Sequence, residues 1–188
     1  MSSQARTAAT GEFVGRLEAL GREEHARADL ARLKRSAGHS LADSPGAFAL
    51  FYWLLPPALR GNDRDEERFF LVATLYAIDP RSSGLGDLGS TLATLAAARA
   101  SGREGIDRRV AVLLDADAQD LPFRLRQLVT LVASAEIGIN WRALTEDLLW
   151  WDHPARRVQR RWARSYFGGP SSRESKDAAS TAIEGPKE

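Results

Sequence analysis

From Pro154 to Phe167 the chain carries Arg156, Arg157, Arg160, Arg161 and Arg164 with no acidic residue among them. Arginines grouped this way bind phosphate and do so without reading bases. On an ideal helix these arginines fall within an arc of about 140°, while Ala155, Val158, Trp162 and Tyr166 share about 80° on the other side. One face is built to dock into a core and the other presents concentrated positive charge. The wider stretch Asn140 to Phe167 also holds four of the chain's five tryptophans and six of its arginines. No catalytic group accompanies them.

Other residues that could do chemistry are weaker candidates. Gly84-Leu85-Gly86-Asp87-Leu88-Gly89 matches G-x-G-x-x-G, but the dinucleotide fingerprint needs a preceding strand to aim backbone amides at a pyrophosphate. The preceding element here is helical and ends at Asp79-Pro80, so the segment reads as a loop between helices. Asp115, Asp117 and Asp120 lack the glycine and final glutamate that complete a calcium loop. They read as caps and solvated charge, with Asp120 starting the next helix. Glu146 and Asp147 point about 100° apart on a helix and do not converge on one ion. Asp152 ahead of His153-Pro154 fits an N-cap for the last helix. The only histidines are His25, His39 and His153, with no pair at metal-ligand spacing. The chain has no cysteine, which removes disulfides, thiolate zinc sites and cysteine nucleophiles. The residues therefore predict no catalytic site, no metal and no cofactor.

The elements that position these residues are helical throughout, with no convincing strand alternation. Thr10 is the expected N-cap of a first helix through Phe13, Leu17 and Leu20. Arg27 to Arg35 follows, with Leu30 and Leu33 inward and Gly38 as its stop. Ser44-Pro45 opens Ala47 to Leu55, and Pro56-Pro57 ends it. Asp63 is the expected cap of a helix reaching almost to Asp79. Leu88 to Arg99, Asp107 to Leu114, Asp120 to Ala135 and Trp141 to Trp151 come next, and the arginine helix closes the fold. Trp141, Leu144, Leu148 and Trp151 step by three, four and three and form a core stripe, with Trp150 off it. The reading is all-α, eight or nine helices in two packed bundle-like lobes. Its boundaries are a flexible N-terminus over 1–9, lobes over 10–102 and 103–167, and a disordered tail over 168–188.

The 188 residues suffice for one good-sized domain, at 44% hydrophobic and 27% charged. Net charge is +1, so any nucleic-acid role must come from uneven placement of the 26 basic residues. The first residues have no signal-peptide core, and the apolar run Phe69 to Ile78 is too short to cross a bilayer. A cytoplasmic protein without a membrane partner is expected. Lys34-Arg35, Arg108-Arg109, Arg124, Arg126, Arg142 and the last helix together form one phosphate-binding stripe if the fold brings them together. Taken singly, each is a solvated helix face. The residues alone leave nucleic-acid binding and a protein–protein scaffold both open.

The order of blocks along the chain resembles the CasB family, the small subunit of the type I-E CRISPR effector Cascade. The resemblance runs through FVGRLEAL, ARLKRSAG, AFALFYWLLPP, FFLVATLYAIDP and LGDLGSTLATL. It continues through DRRVAVLLDADAQDLPFRLRQLVTLVAS, INWRALTEDLLWWD and RVQRRWARSYF, and it leaves out the tail from Gly168. It implies a two-lobed helical, nonenzymatic subunit of a crRNA-guided surveillance complex. Such subunits lie as head-to-tail pairs and bridge the large subunit and the repeated backbone subunits that grip the guide. Their basic surface holds target DNA and the displaced strand of the R-loop, while a separately recruited helicase-nuclease cleaves.

Carried over by position, the resemblance implies contacts from Lys34, Arg35, Arg108, Arg109, Arg126 and Arg142, with Arg124 ranked below them. In the last helix it extends to Arg157, Arg161 and Arg164 beside Arg156 and Arg160, with pairing to Glu146, to Asp147 or to neighbouring subunits as the competing arrangements. A purely structural scaffold without nucleic-acid binding is the alternative.

Overall fold

The computed structural model describes residues 3–83, 85–99 and 101–168. In order, the α-helices are α1 (Ser3–Arg22), α2 (Arg27–Arg35), α3 (Phe48–Leu54), α4 (Asp63–Tyr76) and α5 (Leu88–Ala98). They are followed by α6 (Arg103–Asp115), α7 (Leu121–Ser134), α8 (Trp141–Leu149) and α9 (Arg157–Phe167). The fold is all-α, as the periodicity predicts. The only β pairing among the described residues is an isolated parallel bridge between Ser82 and Ile139.

Helix α4 is the centre. From Phe69 to Tyr76 every residue is buried, the mark of a helix covered on all sides. α8 packs on α4 and α1, α2 and α7 also pack on α4, and α9 lies against α5 and α6. The stripe Trp141, Leu144, Leu148 and Trp151 is buried as expected, and Trp150 is 62% exposed. A single hydrophobic cluster runs through helices on both sides of Gly102. Packing of α8 on α1 and α4, and of α9 on α5, therefore crosses the expected boundary between 10–102 and 103–167.

Several helix ends differ from the sequence reading. α1 begins at Ser3, so the first expected helix extends back through residues 3–9. Thr10 lies inside α1, and its hydroxyl donates to the Arg6 carbonyl at 2.9 Å. Ser44 makes no cap bond, and Pro45–Ala47 forms a 3-10 turn ahead of α3. Asn62, not Asp63, caps α4 by accepting from the Asp65 N–H. Asp120 makes no cap bond either; Asp117 instead accepts from the N–H groups of Gln119 and Asp120 at 2.8 and 2.9 Å. α6 starts earlier than Asp107 because Gly102 takes a left-handed conformation and lets the chain turn into Arg103. Apart from Gly168, the tail expected to be disordered lies outside the described residues.

The described part of the glycine-rich segment, from Leu85, is non-helical up to Asp87 and there enters α5 through a capping box. Asp87 accepts from the Ser90 N–H while the Ser90 hydroxyl accepts from the Asp87 N–H. Its last glycine has a packing role. A Cβ on Gly89 would stand 2.8 Å from the Trp162 Cα and collide with the Trp162 carbonyl oxygen, so α5 and α9 meet backbone to backbone. Gly89→Ala gains up to about 1 kcal/mol of helix propensity but must push these backbones apart. We expect a net loss of about 1–3 kcal/mol in urea unfolding, against the sign that propensity alone gives. Unchanged or raised stability in the variant contradicts the close approach.

Candidate nucleic-acid interface

The sequence-predicted cations separate into three settings. The first is a track across α2, α6 and α7. Arg32, Lys34 and Arg35 occupy the last turn of α2, where the helix dipole favours cations. Arg35 lines a depression of about 390 Å³ with Arg32 and His39. His39 also lines a second depression of about 460 Å³, whose far wall is Pro122 and Phe123 of α7. Phe123 in turn lines a third, of about 330 Å³, with Arg109 of α6 and Arg126 of α7. Gly38 turns the chain out of α2 with φ 93°, a conformation other residues rarely adopt, and lies in contact with the Arg126 side chain. Lys34, Arg35, Arg109 and Arg126 are all exposed, and none forms an ion pair among the described residues. Arg109 donates to the Gly105 carbonyl at 3.3 Å, which lays its side chain along α6.

The second setting is α9. Trp162 and Val158 enter the core, while Arg157, Arg160 and Arg164 point outward without ion pairs among the described residues. Arg161 differs. Its Nη2 donates to Asp147 of α8, and its Nε lies 3.5 Å from Asp87 at the start of α5. Asp147 is buried and also accepts from the Trp162 indole N–H at 2.6 Å. Burial pushes the Asp147 carboxyl up, and the donations from Arg161 and Trp162 act against that rise. Of the competing arrangements, Arg161 adopts pairing with Asp147. Arg156 differs too, because it lies outside the helix: it takes φ 47° ahead of α9, donates to the Leu114 carbonyl and lies 3.5 Å from Asp115.

The third setting holds cations with partners elsewhere. Arg142 pairs with Glu146 at 3.2 Å and lies over Gly11 of α1, away from the α2–α7 track. Arg108 is exposed on α6, 3.7 Å from an exposed Glu104. Arg124 is near Asp120 at 3.8 Å and sits over the Phe123 ring. Surface pairs of this kind are worth little and yield to a stronger anion.

Sequence reading missed one cluster and misassigned its acid. Asp152 does not cap α9; its Oδ2 accepts from Arg64 and Arg68 of α4, each at 2.8 Å. Burial opposes its ionisation, but the hydrogen bonds from Arg68 and Arg64 prevail and hold the carboxyl below its ordinary value. Phe123 was also missed, although it stands off the buried Leu121, Leu125 and Leu128 stripe of α7. Among the described residues no group of three or more His, Asp or Glu is placed to hold a metal, and no helix is long and apolar enough to cross a membrane.

A family model described as CRISPR-associated protein Cse2 matches residues 29–167. A CRISPR-associated protein Cse2 from Thermus thermophilus is 43% identical over 140 residues, covering 73% of this chain and 79% of that protein. The crystal structure of CasB from Thermus thermophilus matches with a TM-score of 0.72 at 33% identity, over 90% of this chain and 100% of that one. A chain of a CRISPR RNA-guided surveillance complex shares the fold with a TM-score of 0.72 at 23% identity, over 92% of this chain and 98% of that one.

The Asp152 cluster generates a pH prediction. A carboxyl whose folded value lies below its unfolded one stabilises the fold above the unfolded value, near pH 4, and loses that contribution as pH falls through the folded value. Asp152→Asn leaves the buried Arg68 without its counter-ion and should cost about 2 kcal/mol at pH 7. The gap between wild type and variant in urea unfolding should close on acidification below about pH 4. A gap independent of pH would remove the ionic explanation.

Proposed function

The chain belongs to the CRISPR-associated Cse2 family, and from that premise we propose that it is a nonenzymatic subunit of a crRNA-guided DNA surveillance complex. In this reading it bridges the large subunit and the guide-gripping backbone subunits, pairs head to tail with a second copy, and acts in the cytoplasm. Its basic surface steadies target DNA and the displaced strand of the R-loop without reading sequence. The observation that carries the reading is the α2–α6–α7 track, where cations of α2 and, far along the chain, of α6 and α7 line depressions joined through His39 and Phe123.

Phosphate contacts suit a machine whose guide supplies the specificity. Exchange of a DNA duplex for a guide–target heteroduplex is nearly energy-neutral, so a few cation–phosphate contacts shift its balance. They carry no sequence information of their own. The proposed contact set is Lys34, Arg35, Arg109 and Arg126, with Arg108, Arg157 and Arg164 as exposed additions and Arg142 on a separate face. Arg161 stays outside it, because two carboxylates hold its guanidinium. A second reading, a scaffold that touches only protein, is favoured by Trp53 and Trp150, which are 60% and 62% exposed. Large exposed aromatics of this kind anchor protein interfaces.

Binding of a fluorescent single strand and a mixed-sequence duplex across a salt series separates the readings. For wild type, the logarithm of affinity should fall linearly with the logarithm of salt, at about 0.7 per phosphate on a single strand. A variant carrying Lys34→Glu, Arg35→Glu, Arg109→Glu and Arg126→Glu should bind more weakly, with a slope shallower by about 3. No binding by wild type at low salt favours the scaffold.

A further inference from the structure

Phe123 has no place in the core, yet it stands where two of the depressions in the basic track meet. It is 51% exposed on α7, while Leu121 and Leu125 of the same helix are fully buried. Arg124 holds its guanidinium carbon 5.4 Å from the ring centroid. Arg109 and Arg126 line one side of the ring, and neither forms an ion pair among the described residues. The carboxylates on the other side already have partners. Glu67 takes the Leu41 N–H with both oxygens at 3.0 and 2.9 Å, and Asp152 is held by Arg64 and Arg68. Around the ring Arg64, Arg68, Arg109, Arg124 and Arg126 outnumber Glu67, Asp120 and Asp152, and the two unpaired cations share the depression with Phe123, which suits an anion there.

An exposed aromatic ring beside two unpaired cations fits a strand that carries both phosphates and free base faces. A duplex satisfies the cations but keeps its base faces stacked on one another, so it has nothing to offer the ring. We propose that Phe123 is a stacking platform for one unpaired nucleobase, with Arg109 and Arg126 taking the adjoining phosphates. This deepens the nucleic-acid reading above and rests on it. The site takes single-stranded nucleic acid in preference to duplex, and the preference comes from Phe123 rather than from charge.

The test uses the full chain and three probes of equal length: a single strand, the same strand with abasic sites at its centre, and a duplex. Phe123→Leu should weaken single-strand binding about tenfold while leaving the salt slope unchanged, since no phosphate contact is lost. Its duplex binding and its binding to the abasic strand should equal those of wild type, and Phe123→Trp should restore single-strand binding. Exposure of the side chain makes both variants compatible with the fold, and equal melting temperatures check this. Equal losses on strand and duplex, or no loss on either, overturn the stacking role while leaving phosphate binding intact. Loss from Phe123→Leu without recovery in Phe123→Trp also overturns it, in favour of a contact that depends on side-chain shape. A wild-type protein that binds none of the probes overturns the nucleic-acid reading and this site with it.

Discussion

Asp147 has almost no access to water, and three helices meet around its carboxylate. It belongs to α8, accepts from Arg161 and Trp162 of α9, and shares Arg161 with Asp87, the residue that caps α5. Asp87 also accepts from the Ser165 hydroxyl at 2.9 Å, adding a second tie to α9. A buried carboxylate without donors would cost several kcal/mol, so the arrangement tolerates few alternatives. Its value lies in specificity: it sets the rotation of α9 about its own axis. With Arg161 turned inward and Trp162 beside it, Arg157, Arg160 and Arg164 have no direction left but solvent.

The same logic governs the α2–α7 track, with packing in place of an ion pair. Leu33 holds α2 against α4, and Leu125, Leu128 and Val129 hold α7 within the core. Each helix hides its apolar stripe, and the polar remainder of each faces outward on adjoining ground. Gly38 lets the chain leave α2 through a left-handed turn beside Arg126. The cations are thereby gathered by hydrophobic burial, which offsets the mutual repulsion of their charges.

Within single helices the sequence was a good guide. Apolar spacing in α8 correctly assigns Trp141, Leu144, Leu148 and Trp151 to the core and Trp150 to the surface. It also places Val158, Trp162 and Tyr166 of α9 inside, whereas Ala155, expected beside them, lies ahead of the helix and is exposed. Helix ends were less legible, because neighbouring residues often have equal capping ability. Asn62 and Asp63 are both strong caps, and the extended backbone at Asn62 decides between them. Contacts between distant segments were not legible at all. Asp152 meets Arg64 and Arg68 across 88 and 84 residues, and no local pattern encodes that. Arg160 and Arg161 are the same residue type side by side, yet one faces solvent and the other a buried carboxylate. A helix wheel orders side chains around one axis, and it holds no information about which wheel lies beside it.

Backbone contact at Gly89 has a mechanical consequence. Helices separated by long side chains can slide, because rotamers rearrange to follow the motion. α5 and α9 touch main chain to main chain and have no such slack. A load applied to the exposed arginines of α9 is carried through Trp162 into α5, and from there into the closely packed interior. The helix thus behaves as a stiff strut, and a force on its outer face is passed to the packed interior rather than absorbed at the surface.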